Sequence, residues 1–483
     1  MTETVILQKE PGSRGGGDAG KEKELSSLSD SPVPRFPDAF SEGSPSLDPF
    51  APYRDRLGAL SPFRISGTVT DVVGLLITSQ GPWLPVGGVC EVYPLQGGAS
   101  ALAEVVGFRG ERTLLMPLGE LRGVGPGSRV VSRTKHASLP VGEGLLGRVL
   151  DGLGRPLDGK GPVEAAHVYP LYTPVSNPLE REAIHEPLDL GIRSINGLLT
   201  CGKGQRVAIM AGPGVGKSTL LSMIARYTRA DVRVIALIGE RGREVQEFVE
   251  KGLPAEERER MIVVAATSAD PPPVRVRAAF LATTIAEYFR DLGQDVLLLM
   301  DSLSRFAMAQ REVGLAAGEP PSTRGYTPSV FAQLPRLLER AGVWKGKGSI
   351  TGLYTVLMEG DDPHEPVTDA VRSISDGHIE LSRRLAEQGH FPAIQVLSSV
   401  SRVRTQVTPT EHQQLVTEII RLLAAYRDAE DLIQIGAYVS GKNPDVDRAI
   451  ELMPRIRRYL CQSIAEAVNL ETSVQGLAEV LAA

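Results

Sequence analysis

The sequence predicts an α/β protein: a mostly parallel sheet built around a phosphate-binding loop, with a small β-barrel before it and a helical domain after it. Three observations carry this reading. Strand-sized apolar runs alternate with amphipathic helical stretches through the middle of the chain. The glycine-rich segment AGPGVGKST, residues 211–219, joins one such run to a helix. Short β-rich runs separated by glycine turns precede this region, and stripes of helical period follow it. At 483 residues the chain suits two or three domains better than one core.

Residues 1–60 are rich in Gly, Ser, Pro and charge. The piece GSRGGGDAGKEKELSSLSDSPVPRFPD holds too few apolar side chains to bury a core, so a flexible, dispensable segment is expected, with a docking role as the second reading. In residues 61–140 the runs RISGTVTDVVGLLITSQ, VCEVYPL, LAEVVGF, RTLLMPL and RVVSRT predict the short strands of a small barrel or sandwich. Oligonucleotide-binding barrels need a basic groove with stacking aromatics. Here Trp83, Tyr93 and Phe108 are not interleaved with basic residues, so a packing collar is expected.

Residues 141–403 carry the strand-like runs RVAIMAG, VRVIALIG, MIVVAAT, DVLLLMD, ITGLYTVL and AIQVLSSV, with helical stretches such as VRVRAAFLATTIAEYFRDLG between them. Continuous apolar strands of this kind belong to a parallel sheet covered on both faces. Residues 404–483 read as helical. Thr408 is placed as a cap, Pro409 at the first helical position and Glu411 three residues past the cap. Leu415, Ile419, Leu422, Leu423 and Tyr426 form one apolar stripe, and Ile450, Met453, Ile456, Leu460 and Ile464 form a second.

Composition narrows the function classes. Hydrophobic content of 42% and charged content of 23% are ordinary for a globular protein. The longest apolar runs, such as VLLLM, are strand-sized, and nothing approaches a membrane span. The start MTETVILQKE lacks a basic stretch followed by an apolar one, so no secretory signal is expected. Cys90, Cys201 and Cys461 are scattered and odd in number, which argues for a reducing compartment. A net charge of −6 gives no global reason to expect nucleic acid as a partner.

The chemistry centres on residues 211–219. Gly212, Gly214 and Gly216, with Pro213 and Val215 between them, let backbone N–H groups turn around phosphate oxygens at the positive end of a helix. Lys217 reaches terminal phosphates, the Ser218 hydroxyl suits Mg²⁺, and Thr219 closes the motif. Ala211 stands where the general pattern has Gly, and a small residue still fits. Asp301 ends the run DVLLLMD, the position of a carboxylate that holds magnesium through water. Glu240 follows VRVIALIG at a strand end that faces the ligand crevice. On residues alone it reads equally as a water-polarising base or as a solvated carboxylate in a first helical turn. The run EGDDPHEP, with Asp361, Asp362, His364 and Glu365, resembles a metal cluster but is broken by prolines and reads as a surface loop.

Longer segments resemble a known family. GRVLDGLGRPLDG, LGIRSINGLLTCGKGQR, GERGREVQEF, MDSLSRFAMAQREVGLAAGEPPSTRGYTPSVFAQLPRLLERAG, EGDDPHEPVTDAVRSISDGHIELSRRLAEQGHFPAIQVLSSVSRV and IGAYVSGKNPDVDRAI are similar to the type III export ATPases, the cytoplasmic motors of flagella and injectisomes. More distantly they resemble the catalytic subunit of rotary ATP synthases. Thr327 replaces a proline of the family pattern RGYPPSVF. The resemblance implies a RecA-like P-loop core, ATP and Mg²⁺ as cofactors, and protein export as the task, by releasing substrates from chaperones and unfolding them. It implies that Glu240 is the catalytic glutamate, Arg241 a γ-phosphate contact, Phe391 the aromatic against adenine and Arg402 an arginine finger for a neighbouring subunit. Without it, Phe391 would read as core and Arg402 as surface charge.

One chain thus carries the loop and base of one site and the finger of another, which favours a homohexamer. The expected partners are export substrates, chaperones, a central stalk and regulators, with docking at the cytoplasmic face of the inner membrane. EPVTDAVRS and VLSSVSRV lean to the injectisome side. Two other readings compete. A subunit of an ion-translocating synthase fits the core but not the export-type segments. A hexameric RNA helicase fits a ring but not the acidic charge.

Overall fold

The computed structural model describes residues 64–173, 177–252, 255–358, 360, 362 and 365–482. The expectations for residues 1–60 and for most of EGDDPHEP lie outside these residues. Within them Glu365 caps the helix that follows, its carboxylate accepting the Thr368 N–H at 2.8 Å.

The β-rich runs close into a barrel. Its strands are β1 (Ser66–Val73), β2 (Leu76–Gln80), β3 (Val89–Tyr93), β4 (Ala101–Arg109), β5 (Arg112–Pro117) and β6 (Arg129–Thr134), in the order β1-β2-β5-β4-β3-β6. Every pairing is antiparallel. Alternate residues point inward. Val69, Ile77, Cys90, Val92, Ala103, Val105, Leu115 and Val130 fill the interior. Burial there pushes the Cys90 thiol up to about 12, so it is an inert core residue.

The central sheet is built from β7 (Val149–Asp151), β8 (Arg206–Ala211), β9 (Val232–Glu240), β10 (Met261–Thr267), β11 (Asp295–Asp301), β12 (Gly342–Val343), β13 (Ser349–Leu357), β14 (Gly377–Leu381) and β15 (Val400–Ser401). The order is β15-β14-β8-β13-β11-β9-β10-β7, with β12 added to β13. The pairings are parallel except β12–β13 and β14–β15. One face packs against the helix Pro272–Asp291. The other packs against α1 (Lys217–Tyr227) and the C-terminal helices α2 (Thr410–Gln434), α3 (Pro444–Leu460) and α4 (Leu470–Leu481). Val416, Ile419, Leu422, Leu452 and Ile456 share one core with Leu220, Leu221 and Ile224 of the phosphate-loop helix. The helical domain is therefore mechanically continuous with the helix that starts at the phosphate loop.

Three local expectations are corrected. AIQVLSSV is not a continuous strand: Ile394 makes an isolated bridge to Leu381 of β14, Val396–Ser398 forms a single 3₁₀ turn, and Val400–Ser401 pairs with β14 again. The Ser399 hydroxyl donates to the Gln395 carbonyl at 2.7 Å, a local bond that competes with the ladder. Thr408 does not cap α2. It ends the short helix Arg404–Val407, where its hydroxyl donates to the Arg404 carbonyl at 2.7 Å, and Pro409 is the cap residue. Ile464 does not continue the second stripe, because α3 stops at Leu460 and Ile464 is 56% exposed.

Candidate active site

The phosphate loop leaves β8 at Ala211 and enters α1 at Lys217. Gly214 and Gly216 have φ of 78° and 88°, the left-handed region that other residues rarely adopt. This geometry keeps the loop open before the first helical turn, where Val215 is buried and Thr219 is exposed. Gly212 and Pro213 form the bend out of the strand.

Three charged side chains meet beside the loop. The Lys217 ammonium contacts the Asp301 Oδ1 and lies 3.9 Å from the Glu240 Oε1. Asp301 is held from behind by the Thr355 hydroxyl at 2.7 Å. β9, β11 and β13 are neighbours in the sheet and parallel, so Glu240, Asp301 and Thr355 arrive at the same end. All three are largely buried. Two carboxylates thus share one ammonium in a partly dehydrated place. Burial first, and then the Asp301 charge, push the Glu240 carboxyl up to about 7, against the pull of Lys217 and Arg305. Glu240 shares a hydrogen bond with Glu244, one turn on. Burial alone would raise Glu244, but that bond and Arg241 hold it below its usual range. The Glu240 Oε1 is buried and has no hydrogen-bond partner among the described residues.

Phe391 comes close to this loop from a distant segment. A Cβ placed on Gly216 would lie 3.4 Å from its ring, and the ring is 45% exposed. A partly exposed aromatic ring therefore stands beside the phosphate loop. Arg241 is not brought to the cluster. It faces solvent and pairs with Glu244 at 3.1 Å. Arg402 is not brought to it either. Its N–H donates to the Asp376 carbonyl at 3.0 Å, and the Asp376 N–H donates to the Arg206 carbonyl at 2.8 Å. Arg402 therefore stands level with the first residue of β8, while the phosphate loop begins after the last. Five strand residues separate these levels by about 16 Å.

Sequence reasoning missed Arg305. It lies in the first turn of the helix Leu303–Ala317 and backs onto Gly239, where a Cβ would come within 2.8 Å of its own Cβ. Its buried Nε has no partner among the described residues. The available signal was its position, because a cation is disfavoured in a first helical turn unless an anion offsets the dipole.

Comparison with known proteins decides what kind of site this is. Residues 191–401 match the nucleotide-binding domain of the ATP synthase alpha/beta family, and residues 64–134 match the β-barrel domain of that family. Residues 408–479 match the type III secretion EscN ATPase C-terminal domain. The chain is 52% identical over 421 residues to a flagellum-specific ATP synthase of Pseudomonas aeruginosa, covering 86% of this chain and 93% of that one. The chain belongs to the flagellar and type III secretion ATPase family. A type 3 secretion system ATPase of Xanthomonas euvesicatoria is 48% identical over 424 residues, covering 88% of this export ATPase and 96% of the relative. The assembled ATPase EscN in complex with its central stalk EscO, from enteropathogenic E. coli, superposes with a TM-score of 0.80 at 43% identity, covering 86% of this chain and 100% of that one. Relatives of both branches lie at similar identity, so these matches give no support to the injectisome lean.

The described residues of this export ATPase fit a magnesium–nucleotide complex. The donors near the loop are oxygens, as Mg²⁺ requires: the Ser218 hydroxyl and the Asp301 carboxylate. The carboxylate pair with one ammonium leaves negative charge that a divalent cation would neutralise, and Glu240 lines the same cleft as Ser218.

Proposed function

We propose that this chain is the MgATP-hydrolysing motor of a type III protein export apparatus, flagellar or injectisome, and that it works as a homohexamer. The observation that carries the proposal is the placement of its two halves. Lys217, Glu240 and Asp301 cluster at one end of the parallel strands, whereas Arg402 sits at the sheet's edge, level with the other end. Arg402 is exposed and has no ion-pair partner among the described residues. The distance to its own phosphate loop exceeds an arginine's reach. A neighbouring copy is what its cation can serve.

The roles follow from the chemistry. Backbone N–H groups of Gly212, Gly214, Val215 and Gly216 and the Lys217 ammonium bind the phosphates. Ser218 directly, and Asp301 through water, would hold the magnesium ion, which supplies charge neutralisation at the phosphates. Glu240 orients water as its carboxylate. Phe391 lies against the base. Arg241 contacts the γ-phosphate after leaving Glu244, a weak exposed pair. The neighbour's Arg402 offsets charge that builds on the transferring phosphoryl group.

The C-terminal helices connect this site to partners. The tip between α2 and α3 exposes Leu432, Ile435 and Val439, a surface suited to a central stalk of the kind that EscN binds. The export substrates, released from chaperones and unfolded, the regulators, and docking at the cytoplasmic face of the inner membrane through partners belong to the same reading. No helix of the described residues is long and apolar enough to cross a membrane. The match of residues 408–479 to an export-specific C-terminal domain favours this reading over a synthase subunit.

The test is complementation between two inactive variants. Arg402→Ala should bind ATP and lose turnover by roughly 10³–10⁵-fold, the range seen for arginine fingers. Glu240→Gln should bind ATP and also fail to turn over. Mixing them under conditions of subunit exchange, followed by mass measurement, should restore activity at interfaces where an intact Glu240 meets an intact Arg402. Full activity from a demonstrated monomer would refute the shared site.

A further inference from the structure

The loop that carries Phe391 is also held from outside its own segment. The Phe391 carbonyl accepts the Gln462 N–H at 2.9 Å. Gln462 lies just beyond α3 and is 6% exposed, and its side chain uses every group it has. The Oε1 accepts the Arg193 N–H at 2.7 Å, and the Nε2 donates to the carbonyls of Gly191 at 2.9 Å and Glu466 at 2.8 Å. Arg193 reinforces the junction by donating to the carbonyls of Tyr459 at 3.2 Å and Cys461 at 3.0 Å and by pairing with Glu466. Farther along, the Tyr227 hydroxyl, at the end of the phosphate-loop helix, donates to the Ile464 carbonyl at 2.9 Å. Three parts of the molecule therefore meet at one residue: the turn before β8, the segment joining α3 to α4 within the helical domain, and the loop that presents Phe391.

We infer that Gln462 is a positioning residue for the base side of the nucleotide site, tying the Phe391 ring to the C-terminal helical domain. Gln462 lines the same open pocket as Phe391, but its amide groups are taken by protein partners, so it acts through Phe391. The inference rests on the reading that Phe391 lies against the base. Its physical basis is that a segment of irregular backbone holds one place only when its polar groups are fixed. Three of the bonds that fix residues 461–466 pass through a single amide. A shift of the helical domain against the sheet must break this node or carry Phe391 along. Base-side affinity is thereby linked to the position of the domain.

The experiment uses the full chain and two probes, ATP and inorganic tripolyphosphate, which has the phosphates but no base. Binding of each in the presence of Mg²⁺ is measured by calorimetry for wild type, Gln462→Met, Phe391→Ala and the double variant. Methionine keeps the length and packing of the side chain and makes none of its hydrogen bonds. Gln462→Glu, which keeps the acceptor for Arg193, is the second variant, and a thermal melt confirms that each folds. Q462M should weaken ATP about five- to tenfold and leave tripolyphosphate within about twofold, the loss expected when hydrogen bonds that hold a neighbour in place are removed. The double variant should be no weaker for ATP than F391A alone, because both changes remove the same contact. Equal weakening of both probes in a folded Gln462 variant, or additive losses in the double variant, would overturn the inference. If F391A itself leaves the ratio of the two probes unchanged, it is the base assignment of Phe391 that fails.

Discussion

Removing the charge of Glu240 should abolish turnover and at the same time stabilise the nucleotide-free protein. The carboxyl is 13% exposed, shares Lys217 with Asp301, and is pushed from its ordinary 4.5 to about 7 by burial and by the Asp301 charge. A carboxyl raised in the folded state favours folding below its unfolded value, and the advantage is lost as pH rises through the folded value. The window runs from 4.5 to about 7. Its full depth is about 3 kcal/mol, at 1.36 kcal/mol for each pH unit. The amide of the Glu240→Gln variant carries no charge and keeps N–H donors that can replace the proton shared with Glu244. E240Q should therefore gain on wild type by about 2 kcal/mol between pH 5.5 and pH 8.5. For a chain of this length that corresponds to a shift of about 2 °C in Tm. Thermal melts of both proteins at the two pH values, without nucleotide and with Mg²⁺ chelated, read the difference. A gap that does not change with pH, or a wild type more stable than E240Q at pH 8.5, would show that Glu240 is not strained by its surroundings.

The remaining predictions concern cations. Lys217→Ala should abolish hydrolysis and weaken nucleotide binding. In contrast to E240Q, it should lower the stability of the free protein at pH 8, because two largely buried carboxylates lose the ammonium they share; the two melts side by side check the opposite signs. Glu287→Ala should cost about 3–5 kcal/mol in urea unfolding. It strands the buried Arg340 guanidinium, whose Nε donates to Glu287 at 2.8 Å and whose other bonds include the Leu171 carbonyl and the Thr284 hydroxyl. Unchanged stability would mean that water replaces the carboxylate there.

Much of the fold was legible because its strands are apolar along their whole length. MIVVAAT and DVLLLMD became Met261–Thr267 and Asp295–Asp301 without a shift in either end. β14 was not read as a strand for the opposite reason. In GHIEL buried and half-exposed residues alternate, and a short polar-interrupted run gives little signal. AIQVLSSV misled because its two serines bond the Gln395 carbonyl within the same segment. At the site, the loop and the strand-end acids were legible as local patterns. Arg305 was not, because its relation to Glu240 runs through the packing of a helix start against Gly239. The place of Phe391 is a tertiary fact of the same kind, because a contact with Gly216 leaves no trace in either residue's neighbours.

On the proposed reading, the same physics explains why this site would be incomplete in one copy. Parallel strands deliver every strand-end group to one end of the sheet, so one sheet can gather Lys217, Glu240 and Asp301 but cannot bring a residue level with the start of β8 to the same place. Arg402 is fixed at that far level by two backbone hydrogen bonds through Asp376, whose carboxylate is itself held by Arg206 at 2.9 Å. Moving Arg402 to its own phosphate loop would require dismantling the pairing of β14 with β8, which is part of the core. On that reading a second copy would provide the guanidinium without that cost. Binding of ATP by one copy would then be separated from its hydrolysis, which would wait for the neighbour. A helical domain that shares its core with the phosphate-loop helix would then be placed to time the two events around the proposed ring.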